Sequence, residues 1–167
     1  AKRLAKKEGL SREQQEEAQR KQKVDDLDAR LKNGQELTQE EVAYLQKERP
    51  GLYEERMKER QEQESYRKAL ENADTKDDVD KLHMARLSQY MTETNTVMND
   101  PAIGKSKKLE IIENIEARFE LTEKATLRFK KSAEYADLPD DENEKIEAER
   151  AADAQPADEK QEAKAAD

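Results

Sequence analysis

A regular apolar stripe between residues 109 and 136 constrains the fold of this chain more than any other feature. Its members recur at alternating steps of three and four residues, which places them along one side of a helix about six turns long. They are Ile112, Ile115, Phe119, Thr122, Thr126, Phe129 and Ala133. A helix with one apolar side must bury that side, so the stripe predicts a packing partner within the chain or outside it.

The rest of the chain offers little else to bury. Leu, Ile, Val and Phe together number 25 of 167 residues, there is no Trp, and charged residues make up 44%. The 32 basic residues nearly balance the 41 acidic ones, and the abundant Glu, Lys, Gln, Arg and Ala are strong helix formers. This composition predicts an all-α protein with thin cores, in preference to a large globular core or a fully disordered chain.

Capping patterns locate the starts of several helices. Ser11 with Gln14, and Thr38 with Glu41, match the capping box, in which each side chain bonds the backbone of the other residue. Thr75 precedes an acidic first turn, which the helix dipole favours. We therefore predict helices beginning just after each of these three residues.

We divide the chain into four segments. Residues 1–10 are a basic flexible amino terminus, and residues 11–49 form a polar helix and a short helix. Residues 50–136 form a helical hairpin or three-helix bundle, and residues 137–167 form a disordered acidic tail. The tail holds 12 acidic and 4 basic residues, almost the whole net charge of -9. Because the polar helices cannot lie in a core, we expect an elongated molecule.

No group of residues is typical of a catalytic or metal site. His83 is the only histidine and cysteine is absent, so we predict no metal site and no cofactor. Residues 99–106, NDPAIGKS, end like a phosphate-binding loop, but they lack its first glycine and no strand precedes them. We interpret them as a connection between helices, and we predict that the protein is not an enzyme.

The sequence also favours a cytoplasmic protein without a membrane span. No stretch approaches the roughly 18 apolar residues that crossing a bilayer requires. The basic amino terminus continues into a polar region, where a secretory signal would become apolar.

The apolar stripe has two interpretations. Its first half, residues 112–119, is expected to pack against the helix that follows Thr75, because short connections make neighbouring helices antiparallel. Its second half is a weaker core former, and it fits either the chain's own core or a partner. The candidate partner-binding residues there are Thr122, Thr126, Phe129 and Ala133. Burial of Phe129 within the chain would remove the best evidence for a partner-binding face.

The leading hypothesis is a non-enzymatic helical interaction protein. It would act as a scaffold, adaptor or assembly factor and present the stripe to a protein partner or to itself, for example as a coiled coil. The alternative is association with nucleic acid through the basic amino terminus, because the first 23 residues hold 8 basic and 4 acidic side chains. The residues for that alternative are Lys2, Arg3, Lys6 and Lys7.

Overall fold

A computed structural model describes residues 11–154, and these residues form helices without any strand. We number the helices α1 to α7 in chain order. Their bounds are α1 Arg12–Lys32, α2 Gln39–Glu48, α3 Leu52–Glu71, α4 Lys76–Met98, α5 Lys105–Lys130, α6 Ala133–Ala136 and α7 Glu142–Asp153. The all-α prediction is therefore confirmed. Within the described range, no helix combines the length and apolar character needed to cross a bilayer.

The helix starts agree with the capping patterns. Ser11 with Gln14, and Thr38 with Glu41, form complete capping boxes at the starts of α1 and α2. The Thr75 side chain accepts a hydrogen bond from the Asp78 amide and caps α4. These three predictions are confirmed. The caps were predictable because each joins residues only three positions apart, so the sequence shows both partners together.

The chain divides into two compact units, residues 1–62 and 63–167. In the first unit, the carboxyl half of α1 packs with α2 and the start of α3. The buried side chains of this core are Val24, Leu27, Leu31, Leu45 and Leu52. Residues 11–23 at the start of α1 are all exposed, as expected for a stretch with a single apolar residue, Ala18.

An ion-pair network joins α1 to α3 within the first unit. Arg56 is 8% exposed, and its Nε donates to Asp28 Oδ1 at 2.6 Å. Its Nη1 donates to Glu59 at 2.9 Å. Burial by itself raises the pKa of the Asp28 carboxyl, but the hydrogen bond and charge of Arg56, helped by Lys32, outweigh it and lower that pKa below 3.8. Arg60 adds a bond from Nη2 to the Leu31 carbonyl at 3.0 Å, close to the end of α1.

We expect Asp28→Asn to reduce the free energy of unfolding of the first unit by about 1–3 kcal/mol at neutral pH, because the buried Arg56 loses a charged partner. The pKa of Asp28 is lowered in the folded state, so its contribution is complete above the unfolded pKa of about 4. It is lost as the pH falls through the folded value. Urea unfolding of the full chain, followed by amide signals of α1 from about pH 7 to about pH 2, measures this.

Asp25→Asn is the matched control, because Asp25 is exposed on the same helix. The two substitutions remove the same charge, so equal losses of stability would contradict a specific role for the Asp28–Arg56 pair.

The second unit is built around α4 and α5, which run antiparallel. Asp80 and Lys130 are bonded at 2.9 Å, and Glu93 and Arg118 at 2.9 Å, so the start of one helix lies beside the end of the other. The carboxyl part of α3 supplies Tyr66 and Leu70, which are buried with Val79 of α4. Among the described residues, this cluster is the apolar core of the unit.

The predicted disorder of the acidic tail is not confirmed for the residues that the structure describes. Residues 142–153 form α7, which Asp141 caps by accepting a bond from the Glu144 amide. The preceding chain is held against α4: the amides of Lys76 and Asp77 donate to the carbonyls of Pro139 and Asp140 at 2.9 and 3.0 Å. The first amides of a helix have no partner within it, so these carbonyls satisfy groups that water would otherwise solvate. Residues 155–167 of the predicted tail lie outside the described residues.

Removing residues 137–167 should accelerate hydrogen exchange at the amides of Lys76 and Asp77 by at least about tenfold, because both lose their acceptors. Exchange measured by NMR on the full and shortened chains tests this. The amide of Glu41, bonded to Thr38 in the first turn of α2, is the internal control and should not change. Unchanged exchange at Lys76 and Asp77 would show that the tail does not dock on α4 in solution.

Candidate interaction site

Two of the predicted partner-binding residues lie inside the chain's own core. Thr122 is 0% exposed and Thr126 is 2% exposed. Their hydroxyls pair with buried tyrosines: Thr122 Oγ1 lies 2.9 Å from Tyr90 Oη, and Thr126 Oγ1 lies 2.6 Å from Tyr66 Oη. These threonines therefore cannot contact a partner in this structure, and the prediction for them is corrected. Hydrogen bonding makes their burial favourable, because each polar group has a partner.

The other two predicted residues, Phe129 and Ala133, differ in burial. Phe129 is half-buried, packs against the core cluster of Tyr66, and meets the ring of Tyr135 edge-on with centroids 6.0 Å apart. Ala133 is exposed at the start of α6. The stripe itself thus offers no continuous partner-binding face. Burial of Phe129 within the chain is partial, so Phe129 stays a candidate partner-binding residue.

The two halves of the stripe are also buried in the opposite order to the one expected. In the first half, Ile115 is buried at 5%, but Ile112 is only half-buried. Phe119 remains 37% exposed, although its ring lies edge-on to that of Tyr90. The second half is the more deeply buried one because it holds the two threonines that bond to tyrosine.

A groove opens directly beside the second half of the stripe, between the carboxyl part of α3 and the carboxyl half of α5. It encloses about 490 Å³, within the range of protein binding sites. Leu70 (1% exposed), Ala125 and Phe129 line it and belong to the apolar cluster beneath. Leu121, which also lines it, is 45% exposed. The remaining lining residues are Gln63, Arg67, Glu71, Lys124, Arg128, Ser132 and Glu134.

Basic side chains outnumber acidic ones around this groove. Arg67, Lys124 and Arg128 face Glu71 and Glu134. Arg67 is paired with Glu64 at 2.5 Å. Lys124 and Arg128 form no ion pair with another described residue, so their charges are available to a bound molecule. An apolar floor with positive groups at its edge suits an apolar segment that also carries carboxylates.

Phe129 is the one of the four predicted partner-binding residues that lines this groove, together with the residue that precedes each of the four. Leu121, Ala125, Arg128 and Ser132 each immediately precede one of the four predicted residues. One residue corresponds to a rotation of about 100° around a helix, enough to move a side chain from the core to the edge of a groove. The sequence shows an apolar residue, Leu121, close to two basic ones, Lys124 and Arg128. It does not show that α3 supplies the opposite wall of the groove.

The residues that the sequence singled out for metal or phosphate chemistry lie apart from one another in the described part of the chain. It contains no group of three or more side chains suited to holding a metal ion. His83 on α4 forms a pair with Glu123 on α5. Within residues 99–106, the chain passes from the end of α4 through a turn to the start of α5, as a connection between helices would.

The residues of the nucleic-acid alternative, Lys2, Arg3, Lys6 and Lys7, lie outside the described residues. Four further basic residues among the first 23, Arg12, Arg20, Lys21 and Lys23, do fall within them. Arg12 pairs with Glu16 at 3.7 Å, and Lys23 Nζ lies 4.1 Å from the ring centroid of Tyr44. Binding of nucleic acid through this segment stays a prediction.

No protein-family model matches the chain, and no curated protein and no solved structure matches it either. Function must therefore be inferred from the residues of this chain alone.

A double-mutant cycle on Tyr66 and Thr126 tests whether their hydrogen bond stabilises the core that lies beneath the groove. Thr126→Val and Tyr66→Phe should each reduce the free energy of unfolding by about 1–3 kcal/mol, because each removes the buried bond between the two hydroxyls. Thr126→Val leaves the Tyr66 hydroxyl without this partner, whereas in Tyr66→Phe the Thr126 hydroxyl keeps its bond to the Thr122 carbonyl. Burial raises the pKa of the Tyr66 phenol above 10.0, so the group is protonated at neutral pH. The double variant should lose less than the sum, with a coupling energy of about 1 kcal/mol or more.

Thr96→Val is the control in combination with Tyr66→Phe. The Thr96 hydroxyl is exposed and bonds the Thr92 carbonyl of its own helix, so these two losses should add. If the losses in unfolding free energy also add in the Tyr66–Thr126 cycle, the buried hydrogen bond does not couple the two residues energetically.

Proposed function

We propose that this protein is a non-enzymatic helical interaction protein that binds a helical segment of a protein partner in the groove between α3 and α5. The main supporting observation is that this groove combines apolar side chains with two basic ones, Lys124 and Arg128, that form no ion pair with any residue between 11 and 154. The proposed surface keeps Phe129 of the stripe, and its other α5 residues lie beside the stripe. Roles as a scaffold, adaptor or assembly factor in the cytoplasm belong to the same proposal.

An arrangement of α3, α4 and α5 as a three-helix bundle supports this function. Gln63 of α3 donates from Nε2 to Tyr90 Oη of α4 and to the Arg118 carbonyl of α5, each at 3.3 Å. Tyr66 of α3 bonds Thr126 of α5 as well. A third helix that is fixed at several points provides a groove wall that does not have to form upon binding, which lowers the entropic cost of association.

The groove favours a partner helix of a particular chemistry. Leu121 and Phe129 suit leucine, isoleucine or phenylalanine side chains at spacings of three and four residues. Lys124 and Arg128 suit aspartate or glutamate beside them, and these charges would fix the orientation of the helix more than they raise its affinity. We therefore infer an amphipathic helix with an acidic flank.

Affinity capture from the source cells with the full chain, followed by binding measurements on the isolated partner, tests this function. Leu121→Glu places a negative charge in the groove and should weaken binding by at least about tenfold, or about 1.4 kcal/mol. The captured protein should contain a helix of the stated chemistry. A synthetic peptide of that helix should compete with the whole partner.

Leu127→Glu is the matched control, since Leu127 is 55% exposed on the same helix but does not line the groove. It should retain the partner. The proposal requires a protein that both the unaltered chain and Leu127→Glu retain and that Leu121→Glu loses. If no protein behaves in this way, the groove is not the binding site.

A further inference from the structure

The outer surface of α4 carries no charge along most of its length. Between Met84 and Met98, every exposed side chain is uncharged, in a chain of which 44% of the residues are charged. The exposed residues are Met84, Ala85, Ser88, Gln89, Met91, Thr92, Asn95, Thr96 and Met98. The two charged residues of this stretch are half-buried: Arg86 lies 5.1 Å from the ring centroid of Tyr66, and Glu93 bonds Arg118.

Three methionines form a line on this surface. Met84, Met91 and Met98 are 62%, 66% and 53% exposed. They recur every seven residues, which is two helical turns with a drift of only about 20° per step. They therefore lie nearly one above another over about 21 Å of helix. A sevenfold repeat of apolar residues is the pattern by which one helix packs along another.

We propose that this methionine line is a self-association surface, which packs against the same surface of a second copy of the chain. A symmetric dimer brings each surface against itself, so any charge on it tends to meet a like charge. The methionine line avoids that cost in either orientation of the two helices, because its three methionines and the exposed residues that lie closest to the line between them, Ser88 and Asn95, are uncharged. Interface centres are depleted in charged residues and enriched in methionine, whose flexible side chain adapts to its neighbours.

The small size of the surface sets the strength of the dimer. A single helical face about 21 Å long and about 10 Å wide is far below the roughly 800 Å² per partner of a standard stable interface. The dimer should therefore be weak, with a dissociation constant of about 0.1 mM to about 1 mM. The surface is separate from the groove between α3 and α5, so this inference does not rest on the proposed function.

Sedimentation velocity of the full chain from about 1 µM to about 1 mM should show a monomer–dimer equilibrium. Met91→Lys places two like charges at the centre of the interface and should weaken the dimer at least about tenfold. Ala85→Lys adds the same charge to an exposed position about 120° away around α4 and should leave the dimer unchanged. A chain that stays monomeric throughout, or equal weakening by both lysines, would overturn the proposal.

Cysteine cross-linking gives a second measurement, which does not require the dimer to survive dilution. The chain has no cysteine, so Met91→Cys and Ala85→Cys each introduce one thiol. In a symmetric dimer centred on the methionine line, residue 91 lies beside its own counterpart. Met91→Cys should then form disulfide-linked dimers at least about tenfold faster than Ala85→Cys, because the dimer raises the effective concentration of the thiol. Equal rates would mean random collision and would contradict the proposed surface.

Discussion

The two buried tyrosine–threonine hydrogen bonds organise the carboxyl-terminal unit. Few large apolar side chains are available there, and the bonds Tyr66–Thr126 and Tyr90–Thr122 allow polar residues to occupy the centre. They also specify how α5 is rotated. A shift by one residue would turn both threonines by about 100°. It would leave the buried Tyr66 hydroxyl without its Thr126 partner and the Tyr90 hydroxyl with only its bond from Gln63. A purely apolar seam of the same length would tolerate such a rotation more easily, because apolar contacts have no direction.

The amino-terminal unit also has few large apolar side chains, but it is stabilised in a different way. Its core is a small set of leucines and one valine, and the surrounding polar contacts are ionic. Arg56 is nearly buried but holds two carboxylates, Asp28 and Glu59, so that its charge is compensated. In both units, a thin apolar core is combined with directional polar contacts, and these contacts make the position of each helix specific.

Local patterns in the sequence predicted the helices well, whereas contacts between distant residues were not predictable. The caps at Ser11, Thr38 and Thr75 depend on neighbours three positions away, so the sequence displays both partners together. Burial of Thr126 depends on Tyr66, sixty positions earlier, and threonine by itself is a poor indicator of a core. The docked start of the tail depends on the first amides of α4, which no pattern within residues 137–154 reveals.

Distribution of charge carries information in this chain that apolar periodicity misses. Where nearly half of the residues are charged, an exposed charged residue is the ordinary case and needs no explanation. An exposed surface without charge is the exception, and α4 presents one whose two charges are both directed to neighbouring side chains. The stripe of Ile, Phe and Thr on α5 is conspicuous in the sequence, whereas this surface is not, because its methionines are widely spaced among small polar residues. On α5, likewise, Lys124 and Arg128 indicate the groove better than most of the stripe does. Charged side chains usually lie at the surface, where another molecule can reach them.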